Sequence, residues 1–268
     1  KEAWHTNQAF FRSMRKALDK SPIPNESIIW LESKDREAIR YLVQQTDSID
    51  LVIPRGGEGL IRSVIKHSMV PVIKHYKGLC HIFVDESANI DQALEIILNA
   101  KCQRPGVCNA VETVLIHQNM IEKFLPKLMT ILKGHHVELR LDSDLTSWDT
   151  NAIVATEEDW RTEYLDLILS IKAVGNLQEA IWHINHYGSH HSDAILTGNS
   201  DHAKQFCQQV DSACVYINAS TRFTDGQQFG MGAELGISTD KLHARGPMGL
   251  VELTTYQYQV TGQGNIRQ

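Results

Sequence analysis

Apolar positions along this chain alternate between two periods. Residues 3–20 place Ala3, Phe10, Phe11, Met14, Ala17 and Leu18 at helical spacing, and Pro22 and Pro24 end that helix. A short buried strand is expected at 27–31, a helix at 35–45, and a strand at 49–53 rich in branched side chains. Pro54-Arg55-Gly56-Gly57-Glu58-Gly59 then turns the chain into a helix at 60–67, followed by strands at 70–74 and 79–84. Beyond these, helices are predicted at 90–101, 120–132, 177–186 and 201–210, and strands at 113–117, 137–141, 167–174, 194–197 and 213–218. Residues 253–260 return to a strand pattern carrying Tyr256 and Tyr258. Strand and helix in turn predict an α/β fold of βαβ units with a parallel sheet, whose ligands are expected beyond the carboxyl ends of the strands. Neither an internal repeat nor a Ser/Gly linker interrupts the pattern, so a domain boundary near Asp85 would be a packed one.

Composition narrows the function classes. The 268 residues are 42% hydrophobic and 22% charged, close to globular averages, which argues against disorder. Twenty-six Lys+Arg against 32 Asp+Glu leave a net charge of −6, which argues against a nucleic-acid binder. No apolar run approaches the ~20 residues of a membrane span, and the first residues form no secretory leader, so a cytoplasmic location and no membrane partner are expected. The chain opens directly on a helical pattern without Met, as if a preceding strand were absent. The odd cysteine count, Cys80, Cys102, Cys108, Cys207 and Cys214, reads as free thiols in a reducing compartment. Neither Cys102-x5-Cys108 nor Cys207-x6-Cys214 has the spacing of a closed zinc site, and no metal is expected.

Three constellations carry possible chemistry. In Arg55-Gly56-Gly57, glycines permit close backbone approach ahead of a helix N-terminus and Arg55 adds charge, a phosphate-binding arrangement that is also ordinary turn chemistry. In Arg104-Pro105-Gly106-Val107-Cys108-Asn109-Ala110, Pro and Gly put Cys108 on a sharp turn. If that turn opens a helix, the dipole and backbone N–H groups lower the thiol pKa and can hold an oxyanion; the alternative is a small buried hydrophobe. Cys80 and Cys214, inside strands, fit the buried reading. The polar run Asn218-Ala219-Ser220-Thr221-Arg222-Phe223-Thr224-Asp225-Gly226 follows a strand, where Arg222 could pair with a carboxylate or phosphate; exposed loops look the same. The 13 histidines form no i, i+4 metal pattern and read as solvated or packing residues.

At Gln103-Arg104-Pro105-Gly106-Val107-Cys108-Asn109-Ala110-Val111-Glu112-Thr113 the sequence resembles the gamma-glutamyl phosphate reductases, also called glutamate-5-semialdehyde dehydrogenases, of the aldehyde dehydrogenase superfamily. The likeness extends through Ile49-Asp50-Leu51-Val52-Ile53-Pro54-Arg55-Gly56-Gly57, Tyr187-Gly188-Ser189, His191-Ser192-Asp193, the 218–226 run, and His243-Ala244-Arg245-Gly246-Pro247-Met248-Gly249-Leu250. It covers essentially the whole chain. It implies an incomplete Rossmann-type NADPH-binding domain at 1–84, an α/β catalytic domain at 85–235, and a C-terminal segment at 236–268 with an oligomerisation strand.

The resemblance implies that Cys108 attacks the acyl phosphate of L-glutamyl 5-phosphate, releasing phosphate, and that the thioester is reduced by NADPH to L-glutamate 5-semialdehyde in proline biosynthesis. Asn109 adjoins that nucleophile. Arg55, Gly56 and Gly57 match the cofactor phosphate turn, and Glu163 matches the carboxylate that positions the nicotinamide ribose; Glu163 also reads as a solvated residue before a strand. Arg222, with Asn218, Ser220 and Thr221, is assigned to the substrate's charged ends, since an anion on a protein of net −6 needs a local positive clamp. Where hydrolytic aldehyde dehydrogenases carry a water-activating Glu, this chain has Ile73-Lys74-His75-Tyr76, as suits a thioester that is to be reduced. The superfamily's first Rossmann strand and its side-chain oxyanion donor would precede Lys1; without them an exposed sheet edge and no activity are expected. A homo-oligomer and functional coupling to glutamate 5-kinase are implied. The alternatives are the reductase half of a bifunctional pyrroline-5-carboxylate synthetase and a truncated, non-catalytic oligomerisation or binding module.

Overall fold

A computed structural model describes residues 3–74 and 76–267. His75, within the stretch read as lacking a general base, lies outside the described residues. The chain divides into two units at Val72/Ile73. The boundary expected near Asp85 falls elsewhere because strand β1 (Cys80–Val84) pairs on one side with β2 (Val111–His117) and on the other with β6 (Ser192–Leu196). It is the centre of the second unit's sheet and cannot be assigned to the first unit.

The first unit holds helices α1 (Trp4–Leu18), α2 (Arg36–Leu42) and α3 (Glu58–His67). Asp35 caps α2 by accepting from the Glu37 N–H at 3.0 Å. A small core of Val43, Ile61, Val64 and Val70 forms, and Met69 N–H donates to Val43 O at 2.9 Å. The strand expected at 27–31 does not form. Residues 25–27 make one 3-10 turn, and Ile29 stands 83% exposed with no ladder beside it. The strands expected at 49–53 and 70–74 reduce to a single parallel bridge between Val52 and Val72. Pro54 and Pro71 bracket it, and each lacks the N–H that a longer ladder would need.

The second unit is a doubly wound α/β layer structure. Its seven strands are all parallel, in the order β4 (Ile153–Val154), β3 (Glu138–Leu141), β5 (Ile168–Val174), β2, β1, β6, β7 (Cys214–Ile217). On one face pack α4 (Ile90–Cys102) and α5 (Ile121–Gly134), burying Ile97, Phe124, Leu125 and Leu128 against Ile82, Val114 and Ile171. On the other pack α6 (Leu177–Tyr187) and α7 (Ser200–Gln209), closing on Phe83, Leu115 and Ile195 through Ile181, Ile184 and Phe206. Central strands β1, β2 and β6 are buried at every position, as a sheet covered on both faces requires. Asn89, Asn176 and Asn199 start α4, α6 and α7 by accepting from N–H groups two or three residues on.

Downstream of β7, β8 (Ile237–Ser238) and β9 (Gly246–Pro247) form a two-stranded antiparallel ribbon. The Lys74 ammonium meets the Asp240 carboxylate at 3.0 Å, tying the segment before β1 to the segment after β8. Residues 253–260 do not form the expected strand. Tyr256 and Tyr258 are 78% and 81% exposed, and no strand among the described residues pairs with them.

Candidate active site

Cys108 and Asn109 precede β2, so they lie at the amino edge of the parallel sheet. The register brings the starts of six strands level there: Cys80 faces Val111, Ser192 faces Cys214, and Glu138 faces Ile168. The expectation of a site beyond the carboxyl ends does not hold for the cysteine turn, because a turn that precedes its strand sits at the opposite edge from one that follows it. Cys108 lies on a turn and opens no helix, so no helix dipole acts on it.

The turn is clamped from both sides. Cys108 O accepts from the Cys80 thiol at 3.3 Å. Asn109 is buried; its Nδ2 donates to Thr224 O at 2.9 Å, its own O accepts from Thr221 Oγ1 at 2.7 Å, and its Oδ1 accepts from Arg222 Nη1. Arg222 Nε also donates to Gln103 Oε1 at 2.7 Å. Ser220 is buried and caps the 3-10 turn Thr221–Phe223, its Oγ accepting from the Arg222 N–H at 3.3 Å. Thr224 Oγ1 lies 2.6 Å from both Ser192 Oγ and Tyr216 OH, which fixes the end of this loop at the start of β6. Arg222 and Thr221 thus meet the cysteine turn at Asn109, with Ser220 holding the Arg222 backbone, because the chain folds back after β7.

Asn218 does not join them. It remains at the carboxyl edge with φ +52°, where its side chain exchanges two 2.8 Å hydrogen bonds with the Thr197 backbone. An open cavity of about 410 Å³ lies there, apart from the cysteine turn. A second cavity, about 270 Å³, is lined by Asn99, Gln103, Arg222, Phe223, Asp225 and Gln228 and opens beside the clamp.

Glu163 reaches the same site. Its Oε1 accepts the Gly78 N–H at 2.8 Å, and Gly78 leaves no space at its Cα: a Cβ there would lie 1.9 Å from Cys108 O and 2.3 Å from Cys108 Cα. The adjoining Leu79 N–H donates to Ser189 Oγ at 2.8 Å. Burial pushes the Cys108 thiol up to about 11, and the carboxylates of Glu163 and Glu234 push the same way, while its own backbone N–H and the Arg222 guanidinium pull down. The lowered thiol pKa expected for a helix-opening cysteine is therefore reversed: desolvation and two nearby anions outweigh one guanidinium. Burial also raises the Glu163 carboxyl, against the Gly78 N–H, Lys77 and Lys101.

Several contributors were not singled out in the sequence. Gly78 looked like any loop glycine. Lys101 and Glu112 are fully buried and meet at 2.7 Å; the available signal was a lysine on the apolar helix face of Ile96-Ile97-Leu98-Asn99-Ala100-Lys101 and a glutamate within a strand run. His81 and Asp193 form a second buried pair at 3.0 Å, opposite one another on β1 and β6. Two residues of the motifs that carry the resemblance are also held: His191 Nδ1 lies 2.9 Å from Ser192 Oγ, and Arg245 binds the Asp211 carboxylate at 2.9 Å. Cys80 and Cys214 are buried, as their strand positions suggested.

Arg55, Gly56 and Gly57 belong to the first unit. Gly57 is the extended residue before α3 and contributes no side-chain cap, while Gly56 has φ +152° and a Cβ there would run into the Leu60 side chain at 2.6 Å. Within this unit a cavity of about 300 Å³ lies between α2 and α3, lined among others by Arg36, Arg40, Val43, Leu60, Ser63 and His67. Among the described residues no cluster of three or more His, Cys, Asp or Glu side chains is placed to hold a metal, and no helix is long and apolar enough to cross a membrane.

A doubly wound parallel sheet with a clamped cysteine turn at its amino edge, beside a carboxylate and a guanidinium, defines an α/β protein with a candidate cysteine site. The sequence profile of the Aldehyde dehydrogenase family matches residues 5–155, and the chain belongs to that family. It is 54% identical over its whole length to a gamma-glutamyl phosphate reductase of Nautilia profundicola, and spans 65% of that relative's length. The crystal structure of gamma-glutamyl phosphate reductase from Thermotoga maritima superposes with a TM-score of 0.94 at 48% identity, over 98% of this chain and 63% of that one. The fold is shared at 16% identity, with a TM-score of 0.66, by glyceraldehyde-3-phosphate dehydrogenase GapN from Methanocaldococcus jannaschii complexed with NADP, over 88% of this chain and 59% of that one.

Proposed function

We propose that this chain carries the nucleophile and substrate clamp of a reductase that converts L-glutamyl 5-phosphate into L-glutamate 5-semialdehyde and phosphate, in proline biosynthesis. The observation that supports the reading is the convergence of Arg222 and Thr221 on the Cys108-Asn109 turn, in a chain half identical to relatives that bear this name. The Cys108 thiolate attacks the acyl carbon, the C–O bond to phosphate breaks, and a thioester forms on Sγ. The Cys108 N–H, which faces its own sulfur, is the candidate donor to the tetrahedral oxyanion. When bound, the nicotinamide cofactor supplies the hydride that brings the thioester to the aldehyde level. Collapse of the resulting thiohemiacetal returns the Cys108 thiolate and releases the aldehyde.

The residues present fit such a cofactor. The side-chain-free entry to α3 at Gly56-Gly57 exposes backbone N–H groups beside Arg55, and the α2–α3 cavity offers basic and apolar walls of nucleotide size. NADPH is the expected form. Glu163 is assigned to the nicotinamide ribose, and Arg222, at the mouth of the polar cavity, to the substrate's anionic end. The apolar exposed residues Leu250, Val251, Tyr256 and Tyr258 are read as a contact with a second copy of the chain, and coupling to the kinase that makes the acyl phosphate suits so labile a substrate.

Cys108→Ala in the whole protein should abolish phosphate-dependent NADP reduction with glutamate semialdehyde. Retained turnover would sink the assignment.

A further inference from the structure

The second unit buries one lysine–glutamate pair completely, and neither residue touches the clamp just described. Lys101, in the last turn of α4, and Glu112, on β2, are each 0% exposed, with Nζ and Oε2 2.7 Å apart. Placing two charges out of water costs several kcal/mol per ion, so a core seeking only stability would do as well with apolar residues of that volume. The pair must be judged by what its remaining atoms hold. Glu112 Oε1 accepts the Leu165 N–H at 3.3 Å. Leu165 has φ +57°, a left-handed conformation that a branched, non-glycine residue adopts only when its surroundings hold it there.

Two residues earlier on the same loop, Glu163 grips the Gly78 N–H, and Gly78 lies against the Cys108 backbone. On the other side of the loop, Leu165 O lies 3.5 Å from where a Cβ on Gly106 of the cysteine turn would stand. A continuous set of contacts therefore runs from Lys101 through Glu112, Leu165 and Glu163 to Gly78 and Cys108.

We propose that Lys101 and Glu112 are positioning residues whose buried ion pair anchors the Leu165 amide and thereby sets Glu163 against Gly78 and the Cys108 turn. This rests on the assignment of Cys108 and Glu163 to the active site, and it adds the device that places Glu163. Lys101 donates to one Glu112 oxygen and pulls its carboxyl down against burial, and Glu112 spends its second oxygen on the loop. The charge also reaches the loop directly, since Lys101 pulls the Glu163 carboxyl down against its burial. The groups facing the Cys108 sulfur are Glu163, Glu234 and Arg222, with the Cys80 thiol beside its carbonyl.

The test uses the chain as it stands and needs no turnover. Amide hydrogen exchange is measured at Gly78 and Leu165, together with the pH dependence of iodoacetamide alkylation at Cys108, read site by site by mass spectrometry. In the double variant Lys101→Met/Glu112→Leu, which strands no charge, Gly78 and Leu165 should exchange at least about tenfold faster while β2 and β5 keep their protection. The alkylation midpoint of Cys108 should fall as the Glu163 carboxylate moves away. Glu163→Gln should lower it by the same route, and the two changes should not add.

Unchanged Gly78 exchange in the double variant or additive alkylation shifts would each overturn the proposal. Should the double variant not fold, the wild-type chain decides: Gly78 and Leu165 amides that open together share one exchange rate, and rates differing by more than about tenfold refute the linkage. Loss of the reductase reading alone would appear in the Cys108→Ala assay and would leave these exchange results unmoved.

Discussion

Gly78→Ala tests the closest approach in the site. The added Cβ would stand 1.9 Å from Cys108 O, 2.3 Å from its Cα and 2.4 Å from its carbonyl carbon, where ordinary contact begins at 3.4 Å. The backbones must therefore part by about 1.5 Å, and neither side is free to give. Gly78 is held by Glu163 and the neighbouring Leu79 by Ser189, while Cys108 is held by Cys80 and the neighbouring Asn109 by Thr221 and Thr224. Overpacking costs typically ~1–3 kcal/mol, and contact with backbone rather than a flexible side chain puts this case at the upper end. For a chain of this size that corresponds to a fall in Tm of roughly 5–10 °C. If the nucleophile moves by about 1 Å, kcat of the whole protein should drop on the order of 10²-fold. Thermal unfolding followed by circular dichroism, with the semialdehyde assay alongside, checks both. A variant with wild-type Tm and kcat would show that Gly78 is not pressed against the nucleophile and would refute the geometry.

Asn109→Ala should uncouple Arg222 from the turn and leave Thr224 O without its amide donor, lowering kcat/KM of the whole protein by roughly tenfold or more while Cys108 stays alkylatable; unchanged kinetics would count against the clamp. His183, buried against Trp160, His81 and Tyr187, is pushed down to about 2, chiefly by burial. The unfolded chain takes up this proton below pH 6.5 and the folded chain does not, so stability is complete above pH 6.5 and falls on acidification. The loss is about 1.4 kcal/mol per pH unit, or roughly 3 kcal/mol by pH 4.5. His183→Phe should remove that component from urea titrations at pH 4.5 and 7, and an unchanged pH dependence would refute it. Glu112 has the opposite sign. Burial raises its carboxyl to about 7, so its contribution to stability is lost as pH rises from about 4.5 towards 7, and Glu112→Gln should flatten stability across that window.

The second unit was largely legible in its periodicity. Apart from β4, two exposed residues that no period announces, helix and strand positions from β1 to β7 follow the predicted segments, because each of those elements is long enough to show its period and is buried by its neighbours. The first unit was not. Residues 27–31, 49–53 and 70–74 have strand composition, yet only the Val52–Val72 bridge forms, since a strand needs a partner and the prolines at 54 and 71 deny the donors. The same holds for residues 253–260, whose apolar alternation finds no ladder.

Cys108, Asn109, Arg222 and Glu163 could each be nominated from their residue type and motif. Their meeting could not, because the contacts that join them span 53 to 115 positions: Asn109 reaches Thr224 and Glu163 reaches Gly78 across separate strands. Asn218 shows the limit from the other direction. It stands four residues from Arg222 in the sequence, but the chain reverses between them, so one faces Thr197 at the carboxyl edge and the other the cysteine turn at the amino edge.

The sequence by itself determined the α/β class, the order of elements in the second unit and the identity of the candidate nucleophile, since all three are carried by local period, turn chemistry and motif. Only the tertiary structure decided which sheet edge bears the site and that the Cys108 thiol is raised rather than lowered. It alone decided that a buried Lys101–Glu112 pair stands behind Glu163. Each of these depends on desolvation and on charges brought together from distant strands, and neither quantity exists until the sheet has closed.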